Sequence, residues 1–176
     1  MSLLRVQPVD SKTIRISGIE PFLADCLETL GQTLELRDSP RVSHRLFPPP
    51  TADNDRANEE WRKYAGPELR HLFVSAGETV LRDLTGLKPE ETTPPSYEVS
   101  FSAAHANAWI TSLNQARLIL GELYHVTEED MSRTRFDVND DRTLAIVRIH
   151  LLGYLLHLFV ELETGEAGGH GPETPV

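Results

Sequence analysis

The chain has 176 residues, 39% hydrophobic and 25% charged, which suits one folded domain with a core and excludes wholesale disorder. Its 27 acids outweigh 17 lysines and arginines, a net charge of −10 with no compact basic block, so nucleic-acid binding is disfavoured. Cys26 is the only cysteine, which rules out an intramolecular disulfide and a cysteine-built zinc site.

Residues 3–17 alternate in a β manner, Leu4 and Val6 answered by Ile14 and Ile16 across Pro8-Val-Asp-Ser-Lys12, and predict a hairpin. The first residues, Met1-Ser-Leu-Leu-Arg-Val, lack the apolar run of a signal peptide. A helix opening at Glu20-Pro21 carries Leu23, Cys26, Leu27, Leu30 and Leu34 on one stripe, where the thiol behaves as a small hydrophobe. Asp38 to Pro50 reads as a loop that ends in three prolines on an extended path. Phe47 in that loop has two readings: a docking element for a partner groove, or the anchor of a strap over the domain's own core. The strap is the expectation.

Asp53 or Asn54 caps a short helix carrying Ala57, Trp61 and Tyr64, and Gly66-Pro67 breaks it. A second helix opens at Pro67 and buries Leu69, Leu72, Phe73, Ala76, Val80 and Leu84, stopping near Gly86. Residues 87–96 read as linker. Tyr97, Val99 and Phe101 alternate as a short strand that could join the hairpin, and Ser102 caps the helix that follows. Thr127-Glu-Glu-Asp130 starts one helical turn. The last helix, Asp140 to Glu163, is apolar nearly all round in its second half, the mark of a bundle centre or a subunit interface. Its most apolar run, Ile149 to Val160, is shorter than the roughly 20 residues a bilayer needs, so a soluble cytoplasmic protein is expected. Residues 165–176 are expected to be a disordered tail.

The fold expected is mainly α: a helical bundle around the apolar C-terminal helix, with an N-terminal β-hairpin and a third short strand. One domain covers 1–163 and a tail 164–176. A homodimer through the last helix is part of this expectation.

The helix from Trp109 to Gly121 holds the most informative pattern. Asn114 and Arg117 are three apart, hence on one face, beside Trp109, Ile110, Leu113 and Leu120. A guanidinium desolvated by such neighbours takes a carboxylate bidentately. That carboxylate belongs either to a ligand or partner, or to this chain; the internal ion pair is the expectation, because buried charges are mostly paired. Trp109 and Phe47 complete the candidate interaction surface.

Two Glu-x-x-His pairs, Glu68/His71 and Glu122/His125, each form half of a di-iron carboxylate motif, with Glu28 and Glu161 as the further carboxylates it would need. One pair falls in a first turn and the other at a helix end, so no metal centre or other cofactor is expected. His150 and His157, seven apart around Tyr154, lie about 10 Å apart along the axis, too far to share a metal, and read as core or interface histidines. No G-x-S-x-G, P-loop or H-E-x-x-H occurs, so an enzyme is not expected.

The pattern W-(aliphatic)-x-x-L-N-x-x-R-L-x-L-G at Trp109 to Gly121 resembles an uncharacterised bacterial family, the domain of unknown function numbered two thousand and seventeen. The hairpin leading into a helix, Arg45-Leu-Phe-Pro48 with acids soon after, and the apolar C-terminal helix fit the same resemblance, over about residues 1–163. The family usually has Leu-Asn-Asp where this chain has Leu113-Asn114-Gln115, which removes a carboxylate near the Arg. The resemblance implies a connection to proteolysis, since actinobacterial members are often encoded beside the ClpS adaptor of the Clp protease; some members carry the label of transcription regulators.

Three functions follow as expectations. The first is a non-enzymatic interaction or regulatory module, linked by the resemblance to Clp/ClpS-type proteolysis and a protein partner of that system. The second is a metal- or small-ligand-binding protein or enzyme using the Glu/His pairs. The third, a DNA-binding regulator, is disfavoured by the charge.

Overall fold

The computed structural model describes residues 3–132 and 140–164; the expected tail from 165 onward lies outside the described residues. The protein is mainly α, with a small antiparallel sheet near its N-terminus. β1 (Arg5–Pro8) and β2 (Thr13–Ile19) form the expected hairpin, with Val6 opposite Ile16. β4 (Ser96–Ser102) joins β2 with Val99 opposite Ile16 and Phe101 opposite Ile14. Alternation thus turns Val6, Ile14, Ile16, Val99 and Phe101 to the core. β3 (Lys88–Glu90) adds an edge strand, giving the order β1-β2-β4-β3.

This edge corrects the reading of 87–96 as plain linker. Pro89 cannot donate to a ladder and so tolerates only an edge position. Glu90 then holds two irregular points together: its Oε2 accepts from the Gly18 N–H at 2.9 Å and from the Ser96 hydroxyl at 2.6 Å. Gly18 has φ 69, where the β2–β4 register shifts between Ile16 and Ile19. A glycine is needed there because an L side chain rarely adopts that backbone.

The helices are α1 (Pro21–Glu28), α2 (Leu30–Glu35), α3 (Pro40–Leu46), α4 (Asp55–Tyr64), α5 (Gly66–Leu84), α6 (Ala106–Leu123), α7 (Glu128–Met131) and α8 (Asp141–Thr164). Two boundaries differ from the sequence reading. The single helix expected from Pro21 is interrupted at Thr29, whose hydroxyl donates to the Asp25 carbonyl at 2.9 Å and competes with the continuing ladder. Residues 40–46, expected as loop, form α3, which buries Val42 and Leu46 behind a Pro at its first position. Leu72, expected in the core, is 58% exposed on α5.

Thr127 and Asp130 form a reciprocal capping box for α7, and Asp140 caps α8 through the Thr143 N–H at 2.8 Å. Ser102 caps the 3-10 turn Ala103–His105 that leads into α6, accepting from the Ala104 N–H. α8 packs along α6, and the aromatic centre of the core lies where they meet the sheet. Trp109 stacks on Phe101 (4.8 Å) and on Phe159 (5.8 Å). α8 is long and apolar enough to cross a bilayer by length and composition, beyond what the Ile149–Val160 count reached, with a third of its most apolar window buried in the domain. Its packed face carries Ala145, Ile146, Ile149, Leu152, Leu155 and Phe159, while Tyr154 and Val160 are exposed. His157, expected in a core or interface, is mostly exposed and sits 3.1 Å from Glu161, one turn on.

Candidate functional site

α6 is buried along Trp109, Leu113, Ala116 and Leu120, so its remaining faces are set by the 3.6-residue period. Ile110, Asn114, Arg117, Leu118 and Gly121 fall on the flank beside α8, which presents Ile149, Gly153, Leu156 and Val160. Two adjoining hollows of about 320 Å³ each lie along this flank and share Asn114 and Leu118. The first is walled by Leu46, Phe73, Ile110, Leu156 and Val160. The second holds Arg117, with Gly121, Val126, Met131 and Ile149.

Among the described residues Arg117 has no internal partner, against the expected ion pair. Its Nε is buried without a hydrogen bond, and among the described residues its guanidinium makes neither an ion pair nor a hydrogen bond. Burying such a group unpaired is costly, several-fold more so than a neutral one. The guanidinium lies flat over the backbone of α8 at Gly153: a Cβ there would stand 3.1 Å from Nε and 3.3 Å from Cζ. Glycine within a helix costs about 1 kcal/mol relative to alanine, so α8 gives up local stability at the point that accommodates this cation. Asn114, exposed between the hollows, has an amide without a hydrogen bond among the described residues.

Trp109 and Phe47 do not share this groove. Trp109 is fully buried, and its indole N–H donates to Asp83 Oδ2 at 3.0 Å. Phe47 is the strap anchor: it packs on Phe73 at 5.4 Å and under the Arg70 guanidinium at 4.7 Å. Gln115 points toward α5, donating to the Phe73 carbonyl at 3.4 Å, so the family position it occupies is directed away from the Arg117 hollow.

The Glu/His pairs do not converge. Glu68 and His71 are exposed on α5. Glu122 accepts from Arg41 Nε at 2.6 Å, and the Arg41 guanidinium also lies on the His125 ring, with Nη1 2.9 Å from Nε2. That hydrogen bond holds the Glu122 carboxyl below the usual carboxylate range. A cation already fills the place between the two side chains where a metal would sit. Among the described residues no group of three or more His, Cys, Asp or Glu stands together to hold a metal ion. Cys26 is buried, and desolvation pushes its thiol up to about 11, which leaves it unreactive.

Two features escaped sequence reasoning. Asp83 on α5, nearly buried, lies 3.0 Å from His105 Nδ1 as well as on the Trp109 indole, binding the start of α6 to α5. Arg37 is buried with Nη1 unsatisfied; it donates Nε to the Leu34 carbonyl at 2.7 Å, and burial, then Arg70, lower its pKa. No spacing rule links Asp83 to His105, 22 residues on.

A larger hollow, about 510 Å³, lies elsewhere, between the hairpin, α1 and α8, where Leu3, Phe22 and Tyr154 are exposed. No curated protein and no solved structure matches the chain. A family match does cover residues 14–162, taking in the sheet apart from β1, the α6–α8 groove and nearly all of α8. The chain belongs to the family described as Domain of unknown function (DUF2017).

Proposed function

We propose that this chain is a non-enzymatic protein-interaction module that receives a segment of a partner protein in the α6–α8 groove. The observation that carries the reading is Arg117, a partly buried guanidinium without an acid among the described residues, facing a groove whose walls are otherwise largely apolar. A structural arginine ordinarily holds its partner within the fold, as Arg142 holds Asp130. The setting we propose is regulation connected to Clp-type proteolysis in the cytoplasm, as the family resemblance implies. The metal-binding alternative is less well supported, because Arg41 occupies the Glu122/His125 pair.

The test is site-specific photo-crosslinking in the native host, with a benzophenone side chain at position 111, on the groove wall of the full chain. A discrete crosslinked protein is expected, and Arg117→Met should remove it while leaving the melting temperature within a few degrees. A crosslink indifferent to Arg117→Met, or no crosslink, would count against the groove.

A further inference from the structure

The two hollows differ in chemistry, and Asn114 stands at the divide. From this we infer that the groove takes an extended, bipartite segment: a carboxylate side chain for Arg117 and, two residues away, a large apolar side chain for the neighbouring hollow. This rests on the docking reading above and specifies its ligand.

The charge argument comes first. Arg117 is a cation in a chain of net charge −10, so a strongly acidic partner would be repelled by the surface as a whole. One carboxylate flanked by apolar residues avoids that repulsion and still satisfies the guanidinium. The planar fork of the guanidinium favours a carboxylate that accepts two hydrogen bonds in parallel.

Spacing comes second. The α6 residues of the apolar hollow are 110, 111, 114, 115 and 118, and those of the Arg117 hollow are 114, 117, 118 and 121. Their centres are about four residues apart, or about 6 Å of helix rise. Side chains i and i+2 of an extended chain span about 6.6 Å on one face, which matches. Side chains i and i+4 of a helix would also span about 6 Å, but a helix satisfies its own main chain and leaves Asn114 nothing to bind. An extended segment brings free N–H and C=O groups into an apolar groove, and the Asn114 amide can donate to one and accept from the other.

The experiment uses the purified full chain and blocked nine-residue peptide pools, fixed in either order as Glu-x-Leu, Gln-x-Leu, Glu-x-Ser or Glu-x-x-x-Leu. Affinity is read by fluorescence polarisation, and the Arg117 Nε–H resonance is followed by NMR. Glu-x-Leu pools should bind about tenfold more tightly than the Gln and Ser pools and move that resonance. In Arg117→Met the Glu and Gln pools should become equal, and Asn114→Ala should weaken every binding pool. Equal binding of Gln and Glu pools to the unaltered protein, with groove methyl shifts, would overturn the carboxylate while leaving the docking reading standing. Preference for Glu-x-x-x-Leu, or for peptides offering only a free C-terminal carboxylate, would overturn the extended bipartite form. No binding by any pool, with a motionless Nε resonance, would sink this inference; loss of the position-111 crosslink as well would sink the docking reading with it.

Discussion

The two ends of α6 treat polar groups in opposite ways. At its start, Asp83 meets both His105 and the Trp109 indole, so a nearly buried carboxylate and two ring N–H groups are mutually satisfied. Some two turns on, Arg117 is also partly buried, yet its Nε bonds nothing and α8 withdraws to a glycine beneath it. The closed group ties α6 to α5, whereas the open one leaves a cation at the groove. Removing the first kind should damage the protein, and removing the second should not.

The sharpest form of that contrast is Asp83→Ala. It leaves the Trp109 indole unpaired beside stacked aromatic rings and frees His105, and is expected to destabilise the protein by about 2–3 kcal/mol. Asp83→Asn retains an acceptor for the indole and should lose less. Urea unfolding of both variants checks the order, and equal loss would mean that the charge on Asp83, not its acceptor geometry, is what matters.

A smaller effect is expected at Asp130, the closed counterpart of Arg117 on the far side of α7. The Thr127 backbone N–H and hydroxyl, with Arg142 behind them, hold its carboxyl at about 2 in the folded protein. An unfolded aspartate titrates at about 3.9. Because the folded value is the lower one, its stabilisation is full above about pH 4 and fades as the pH falls toward about 2. Urea midpoints between pH 5 and pH 2.5 should show that decline, flattened in Asp130→Asn. Unchanged acid dependence in the variant would remove the box from the account.

Arg117→Met should run the other way. A buried charge with no partner contributes little to folding, so an apolar chain of similar length is expected to leave stability unchanged or raise it by up to about 1 kcal/mol. A loss beyond about 1 kcal/mol would mean that the stem or head of Arg117 is structural and would blur the difference between the two ends of α6.

How much of this was legible beforehand follows from the range of each interaction. The hairpin, the Tyr97–Phe101 strand and the long helices announce themselves through period and caps within a few residues of each other. α3 is hidden inside a stretch that its three closing prolines mark as loop, although Pro40 stands at a first helical position, where Pro opens a helix as readily as it ends one. β3 exists only through its pairing with β4, which no local pattern states. At the site, the 114/117 spacing correctly placed both residues on one face, whereas the lack of an internal acid for Arg117 depends on every neighbouring element. Gly153 carries no local signal of its use, which depends on a side chain 36 residues earlier in the sequence.

Gly153→Ala is the finest test, because two effects of similar size oppose each other. Alanine should gain about 1 kcal/mol of helix propensity in α8. Its Cβ would stand 3.1 Å from Arg117 Nε, so the guanidinium must lift out of the seam, which a long side chain can do at small cost. The single variant is therefore expected within about 0.5 kcal/mol of the parent, with the sign set by how freely the head moves. In an Arg117→Ala background the obstruction is gone, and the full gain of about 1 kcal/mol should appear. The cycle thus predicts a coupling of about 0.5–1.5 kcal/mol between residues on two helices that share no hydrogen bond. If alanine stabilises both backgrounds equally, the glycine does not serve the arginine, and the open end of α6 loses its strongest sign of having been shaped.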